Sequence, residues 1–276
     1  MVLTGKTKLY GVIGNPVKHS LSPVFQNVGF SLLGIDAVYL PFEVPKEGFE
    51  ETVRGLLLLE NLKGFNVTVP FKESIIQFAD WVSEDVSQIG SANTLKKTPE
   101  GKVELHNTDW VGFIKALSEL VDPKGKKVLV LGAGGTARAV VYALKKVQSE
   151  VYIWNRTPQK AQKLAETFGV NWTENLDRVG EFDVIVNTTS VGLKENDPPL
   201  FDYNRIEPHQ VVYDVIYRET PLVRAARQRG AKADNGLKML LYQGVESFKI
   251  WTGKEPPVDE MWKALREAFE RSSQSR

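Results

Sequence analysis

Residues 127–146 read KVLVLGAGGTARAVVYALKK, and no other stretch limits the possible folds as strongly. The run VLVL has the length of a buried strand. Gly132, Gly134 and Ala137 follow it in G-x-G-x-x-A spacing, and TARAVVYALKK then reads as a helix. A strand that feeds a small-residue turn and then a helix is the opening βα unit of a parallel sheet. Small residues let the chain turn tightly and let backbone amides at the helix N-terminus approach a pyrophosphate. Gly132, Ala133, Gly134, Gly135 and Thr136 are therefore candidate contacts to a dinucleotide. The motif alone is weak evidence, and the order of strand, glycines and helix gives it weight.

The next strand, VYIW, ends in Asn155, Arg156 and Thr157. A site for NAD places Asp or Glu there to bind the ribose 2′-hydroxyl. Asn155 does not repel a phosphate, whereas Arg156 can bind one through two parallel hydrogen bonds. Lys160, one helical turn on, adds a second positive charge. Position thus predicts NADP over NAD, the bland alternative being an exposed arginine at a strand end. Two other matches are rejected. Gly5, Lys6 and Thr7 resemble the end of a phosphate-binding loop but lack its strand and first glycine. Tyr142 and Lys146 have Tyr-x-x-x-Lys spacing, yet they fall on the helix after the glycines and read as ordinary helix residues.

Elsewhere, short apolar runs alternate with amphipathic segments, the pattern of parallel sheets covered by helices. Strands are expected at Leu9 to Ile13, Val38 to Phe42 and Phe65 to Val69. Helices are expected from about Pro23 to Leu33 and Lys46 to Leu59. A second series begins at Lys127 and continues through Val151 to Trp154, Val184 to Asn187 and Val211 to Val215. The fold class is therefore α/β with two domains, the boundary lying in the turn Asp122 to Gly125 or the preceding helix, Trp110 to Leu120. Two more helices are expected near Lys238 to Thr252 and Val258 to Arg271. Only the Ser-rich end, Ser272 to Arg276, invites disorder.

The chain has 276 residues and a net charge of +1, which gives no broad basic field for nucleic acid or an anionic membrane. Absence of cysteine removes disulfides, thiolate nucleophiles and cysteine-ligated zinc. His19, His106 and His209 are too scattered to suggest a metal site. The N-terminus has no apolar run long enough for a signal peptide or a membrane span, so a cytoplasmic location is expected by default.

In NVTVPFKESI, residues 66–75, Val67 and Val69 alternate with Asn66 and Thr68 as in a strand with one buried face. Pro70 suits a strand exit, and Lys72 would stand at the mouth of the sheet. A lysine taken alone is most often a solvated surface charge. Earlier, NPVKHSLSP places Ser20 and Ser22 at a helix entrance, where hydroxyls can cap the helix or hold a carboxylate. IGSANT contains Asn93, and HNTDWVGF contains Asp109, whose alternative role is to cap the helix that follows. Such polar residues at the ends of apolar runs lie where open α/β sheets bind ligands.

These segments, with LGAGGTARA, NRT, NTTSVG and GLKMLLYQ, span nearly the whole chain in order and resemble shikimate dehydrogenase. The resemblance implies a substrate-binding domain of residues 1–109 and 238–276 with a mostly parallel sheet, and a Rossmann-type NADP-binding domain of residues 110–237. It implies reversible NADPH-dependent reduction of 3-dehydroshikimate to shikimate, in the route to chorismate and the aromatic amino acids. By the same resemblance Ser20 and Ser22 bind the substrate carboxylate, and Asn66, Thr68, Asn93, Tyr217 and Gln243 hold the ring hydroxyls. Lys72 and Asp109 are the catalytic pair. Thr188, Ser190, Val215, Gly236 and also Glu84 fall on the cofactor side. The expected partners are small molecules, with the protein a monomer or homodimer. Two alternatives remain: a quinate/shikimate enzyme using NAD, and a non-catalytic dinucleotide-binding sensor. Asn235 before Gly236 and Lys238 after it depart from the family's usual Asp and Gly.

Overall fold

A computed structural model describes residues Val2 to Gln274. The chain forms two compact units, one of residues up to Thr108 and from Gln243 onward, the other Asp109–Tyr242. The return crossing thus falls inside a helix, after Tyr242, beyond the expected position before Lys238. Asp109 begins the second unit.

In the first unit the chain forms β1 (Lys8–Gly14), α1 (Ser22–Leu32), β2 (Ala37–Glu43), α2 (Phe49–Leu58), β3 (Gly64–Val67), β4 (Trp81–Val82), α3 (Glu84–Ile89), β5 (Thr94–Lys97) and β6 (Val103–His106). The sheet order is β2-β1-β3-β5-β6-β4. Strand β5 is antiparallel to both its neighbours, and the remaining pairs are parallel. The reversal follows from chain length. Only residues 98–102 link β5 to β6, too few for a crossover, and Gly101 at φ +83° closes the turn.

Side-chain alternation sends Tyr10 and Val12 of β1 to one face, against Phe30, Tyr39, Phe248 and Trp251. Ile13 joins Phe65, Val67, Val53 and Leu95 on the other. Both faces are therefore buried. This corrects the expected one-sided strand: Asn66, between Phe65 and Val67, is only 5% exposed. It also shortens that strand, since Val69 is 61% exposed. Beyond Val67 the Thr68 N–H still donates to Ile13 O at 2.9 Å, and the Phe71 N–H then turns back to Thr68 O. After Lys72 a 3₁₀ segment runs over Ser74–Phe78.

The second unit contains α4 (Asp109–Ser118), β7 (Lys127–Leu131), α5 (Gly135–Lys146), β8 (Glu150–Trp154), α6 (Pro158–Phe168), β9 (Asn171–Trp172), β10 (Val184–Asn187), β11 (Val211–Asp214), α7 (Pro221–Gln228) and β12 (Lys232–Asp234). Its sheet, β12-β11-β10-β7-β8-β9, is parallel throughout. The central strands are buried along nearly their whole length, as strands covered on both faces must be. Strand order reverses between β7 and β10, and the carboxyl ends at such a switch point form the crevice where open sheets bind ligands.

Helix α8 (Leu237–Thr252) contains the crossing between units, and α9 (Val258–Gln274) packs on α1. The Ser-rich end is helical through Gln274; Ser275 and Arg276 lie outside the described residues. No described helix is long and apolar enough to cross a membrane.

Candidate active site

In the second unit the glycine turn sits directly after β7. Gly132 has φ +114°, and a Cβ there would lie 2.5 Å from Thr188 Oγ1, so both conformation and space require glycine. The Gly132 N–H donates to Trp154 O at 2.7 Å, and Thr188 donates through its N–H and its hydroxyl to Leu131 O. Thr188 therefore braces the turn. At Gly134 and Gly135 an added Cβ would meet no protein atom within 4 Å. Bare backbone at the N-terminus of α5 thus faces open space, which fits the approach of a pyrophosphate.

At the end of β8 Asn155 Nδ2 donates to Thr157 O at 3.0 Å, which shapes the corner into α6. Arg156 and Lys160 are exposed. Among the described residues neither forms an ion pair. Next to the switch point, the Gly236 N–H donates to Ile216 O at 3.1 Å, and a Cβ on Gly236 would fall 2.1 Å from Val215 O. Val215 is half-buried, Ser190 is exposed, and Tyr217 is 37% exposed. Asp109 is a buried first residue of α4, where the helix dipole favours a carboxylate.

Beneath Val215 lies a buried carboxyl that the motifs did not single out. Asp214 accepts from Asn187 Nδ2 (3.1 Å), the Ile216 N–H (3.1 Å) and the Thr220 hydroxyl (2.8 Å). Burial pushes its pKa up to about 6, with these donors offsetting only part of the effect.

In the first unit, residues from five separate segments meet in one buried polar cluster. Asn66 Nδ2 lies near Asn93 O (3.0 Å), Thr94 Oγ1 (3.1 Å) and Ser247 Oγ (2.9 Å). Its Oδ1 accepts from the Tyr39 phenol at 2.8 Å. Asn93 Oδ1 accepts from the Thr108 N–H at 2.7 Å, and Asn93 Nδ2 donates to Thr108 Oγ1 (2.9 Å) and Gln243 Oε1 (3.2 Å). Asn66, Asn93 and Gln243 are thus gathered, as the sequence segments suggest, but Asn66 lies within the cluster as an internal tie. Ser22 hydrogen-bonds the Tyr39 phenol, whose pKa burial raises, and the Ser22 N–H donates to Ser20 Oγ at 3.3 Å.

Lys72 is half-buried. Its carbonyl accepts from the Ala92 N–H at 2.8 Å, while the Val67 N–H donates to Asn93 O at 2.8 Å. These bonds bring the strand-exit lysine beside the loop carrying Asn93. Thr68 packs so closely on Gly14 that a Cβ at position 14 would lie 2.3 Å from its Cγ2. Glu84 is exposed and accepts from Gln88 Nε2 on its own helix.

Family models match three parts of this framework. One for the shikimate dehydrogenase substrate binding domain matches residues 12–95, one for shikimate / quinate 5-dehydrogenase residues 115–194, and one for the shikimate 5′-dehydrogenase C-terminal domain residues 236–266. Shikimate dehydrogenase (NADP(+)) of Aquifex aeolicus is 49% identical over 268 residues, covering 96% of this chain and 99% of that protein. The chain belongs to the shikimate dehydrogenase family. The crystal structure of the shikimate dehydrogenase from Aquifex aeolicus superimposes with a TM-score of 0.94, covering 96% of this chain and all of that one. That of Thermus thermophilus shikimate 5-dehydrogenase in complex with NADP(H) and shikimate gives 0.89 at 36% identity, covering 95% and 100%.

The cluster in this chain includes residues the motifs did not assign: Tyr39, Thr94, Thr108 and Ser247. Thr94 and Thr108 adjoin named motif residues. Ser247 lies one helical turn beyond Gln243, so helical spacing put both on one face. Tyr39 offered no signal, because an aromatic within an apolar strand reads as core.

Proposed function

We propose that the protein catalyses the reversible reduction of 3-dehydroshikimate to shikimate with NADPH, a step in aromatic amino-acid biosynthesis. Family membership across nearly the whole chain carries this reading. We assign most of the substrate contacts to the first unit and the dinucleotide to the second. The glycine turn would hold NADPH, with Arg156 and Lys160 available to its 2′-phosphate, and the cofactor would supply the hydride. The chain's own groups manage the substrate and its proton. Ser20 accepts a backbone hydrogen bond yet retains its hydroxyl hydrogen for the substrate carboxylate, joined there by Ser22. Thr68, Asn93, Tyr217 and Gln243 hold ring hydroxyls, and Asn66 orders the cluster that presents them. Lys72, as ammonium, stabilises negative charge growing on the ketone oxygen and gives up a proton; in oxidation the neutral amine takes it back. Asp109 accepts a hydrogen bond from a substrate hydroxyl. The remaining cofactor contacts are Ala133, Gly134, Gly135, Thr136, Asn155, Thr157, Ser190, Val215 and Gly236. The enzyme acts in the cytoplasm as a monomer or homodimer.

A spectrophotometric assay with shikimate or quinate, each with NADP or NAD, tests the proposal. Shikimate with NADP is expected to be the preferred pair. A preference for quinate with NAD overturns it, and Arg156 argues against that outcome because an NAD site gains nothing from a phosphate clamp. A sensor would bind NADP without turnover of either acid.

A further inference from the structure

We infer that Ser247 is a positioning residue for the amide pair Asn93–Gln243 and thereby for substrate binding; the inference rests on the proposed reaction. Ser247 is fully buried. Its Oγ lies 3.0 Å from Gln243 O, 2.9 Å from Asn66 Nδ2, 2.8 Å from Thr94 Oγ1 and 3.2 Å from Thr108 Oγ1.

Hydrogen-bond polarity in this cluster is set by main-chain groups that can act only one way. Asn93 O can only accept, so the Asn66 amide turns its Nδ2 inward. The Thr108 N–H can only donate, so Asn93 turns its Oδ1 toward it and its Nδ2 toward Gln243 Oε1. Gln243 O can only accept, so the Ser247 hydroxyl hydrogen points along α8 and its lone pairs face the sheet. Ser247 therefore receives Asn66 and a threonine hydroxyl while its own helix turn carries Gln243. It sets the rotation of α8 that brings Gln243 Oε1 within 3.2 Å of Asn93 Nδ2.

Replacement by alanine is a clean test, because no buried donor is orphaned. Both Asn66 Nδ2 hydrogens keep acceptors in Asn93 O and Thr94 Oγ1. The Thr94 and Thr108 hydroxyls keep Asn93 Oδ1. What is lost is the tie from α8 to Asn66 and the threonines, while Trp251 Nε1 still donates to Leu95 O at 2.9 Å.

The experiment measures steady-state kinetics and thermal unfolding of Ser247→Ala beside wild type, varying shikimate and NADP separately. The expected result is a KM for shikimate raised about three- to tenfold, the scale of one net hydrogen bond, with kcat and KM for NADP near wild type. Should that variant fail to fold, Ser247→Cys, which keeps an atom at the Oγ position, is expected to show a smaller rise. A folded variant with wild-type KM for shikimate, whether or not its melting temperature falls, overturns the positioning role alone. Wild type that neither binds nor turns over shikimate overturns the proposed reaction and this inference with it.

Discussion

The Lys72 carbonyl accepts a 2.8 Å hydrogen bond from the Ala92 N–H. The tie uses only main chain, so the Lys72 side chain can be changed without untying the strand exit from the loop that carries Asn93. Lys72→Met keeps the apolar stem and removes the charge and the proton. Its kcat is expected to fall by about 10² to 10⁴, the range of general acid-base help, in a variant that still folds. A rise in KM at constant kcat would instead assign Lys72 to binding alone.

Arg156 is exposed and makes no ion pair among the described residues, so Arg156→Ala costs the fold little. Loss of a charge-assisted bond to a 2′-phosphate is expected to weaken NADP binding by about ten- to a hundredfold. NAD binding should hardly change. Titrating both dinucleotides by fluorescence separates the two, and an equal loss for each would show that Arg156 has no phosphate to hold.

Two glycines of one turn are expected to behave oppositely. Gly132→Ala meets Thr188 Oγ1 and a φ of +114°, so it should destabilise the protein by about 1 to 3 kcal/mol. Gly135→Ala meets no protein atom within 4 Å and lies at the start of α5. It should leave urea unfolding unchanged yet raise the KM for NADP, because the methyl occupies the space assigned to pyrophosphate.

Asp214 ties stability to pH. Its folded-state pKa is raised from 3.8 to about 6 by burial. Between those values the unfolded chain has released this proton and the folded chain keeps it. Folding then takes up a proton, and raising the pH weakens the fold. The contribution amounts to about 3 kcal/mol, fully present below about pH 4 and lost by about pH 6. Urea unfolding of wild type and Asp214→Asn across this window should show the wild type losing that much relative to the variant. Parallel curves would mean that Asp214 titrates normally.

Several local elements and the kind of ligand are legible in the residues alone. VLVLGAGG followed by a helix prescribes a strand, a turn and an anion-binding helix start, because each depends on neighbouring residues alone. Arg156 at the end of the next strand indicated NADP for the same reason, and the ordered motifs identified the family. Features that depend on partners far apart in the chain came from the packing of the folded molecule. The pattern of residues 66–69 suggested one buried face, yet Asn66 is buried because α8, with Ser247 181 residues later, covers its side of the sheet. TLKK and VELH, which lack apolar runs, became β5 and β6 because their short link allowed only a hairpin beside an existing sheet. Asp214 reads as the polar end of a strand, and only its burial in the folded chain raises its pKa, which the donors Asn187, Ile216 and Thr220 partly offset. Periodicity specifies which side of an element is apolar; which residues meet there is set by the packing of segments that sequence spacing does not relate.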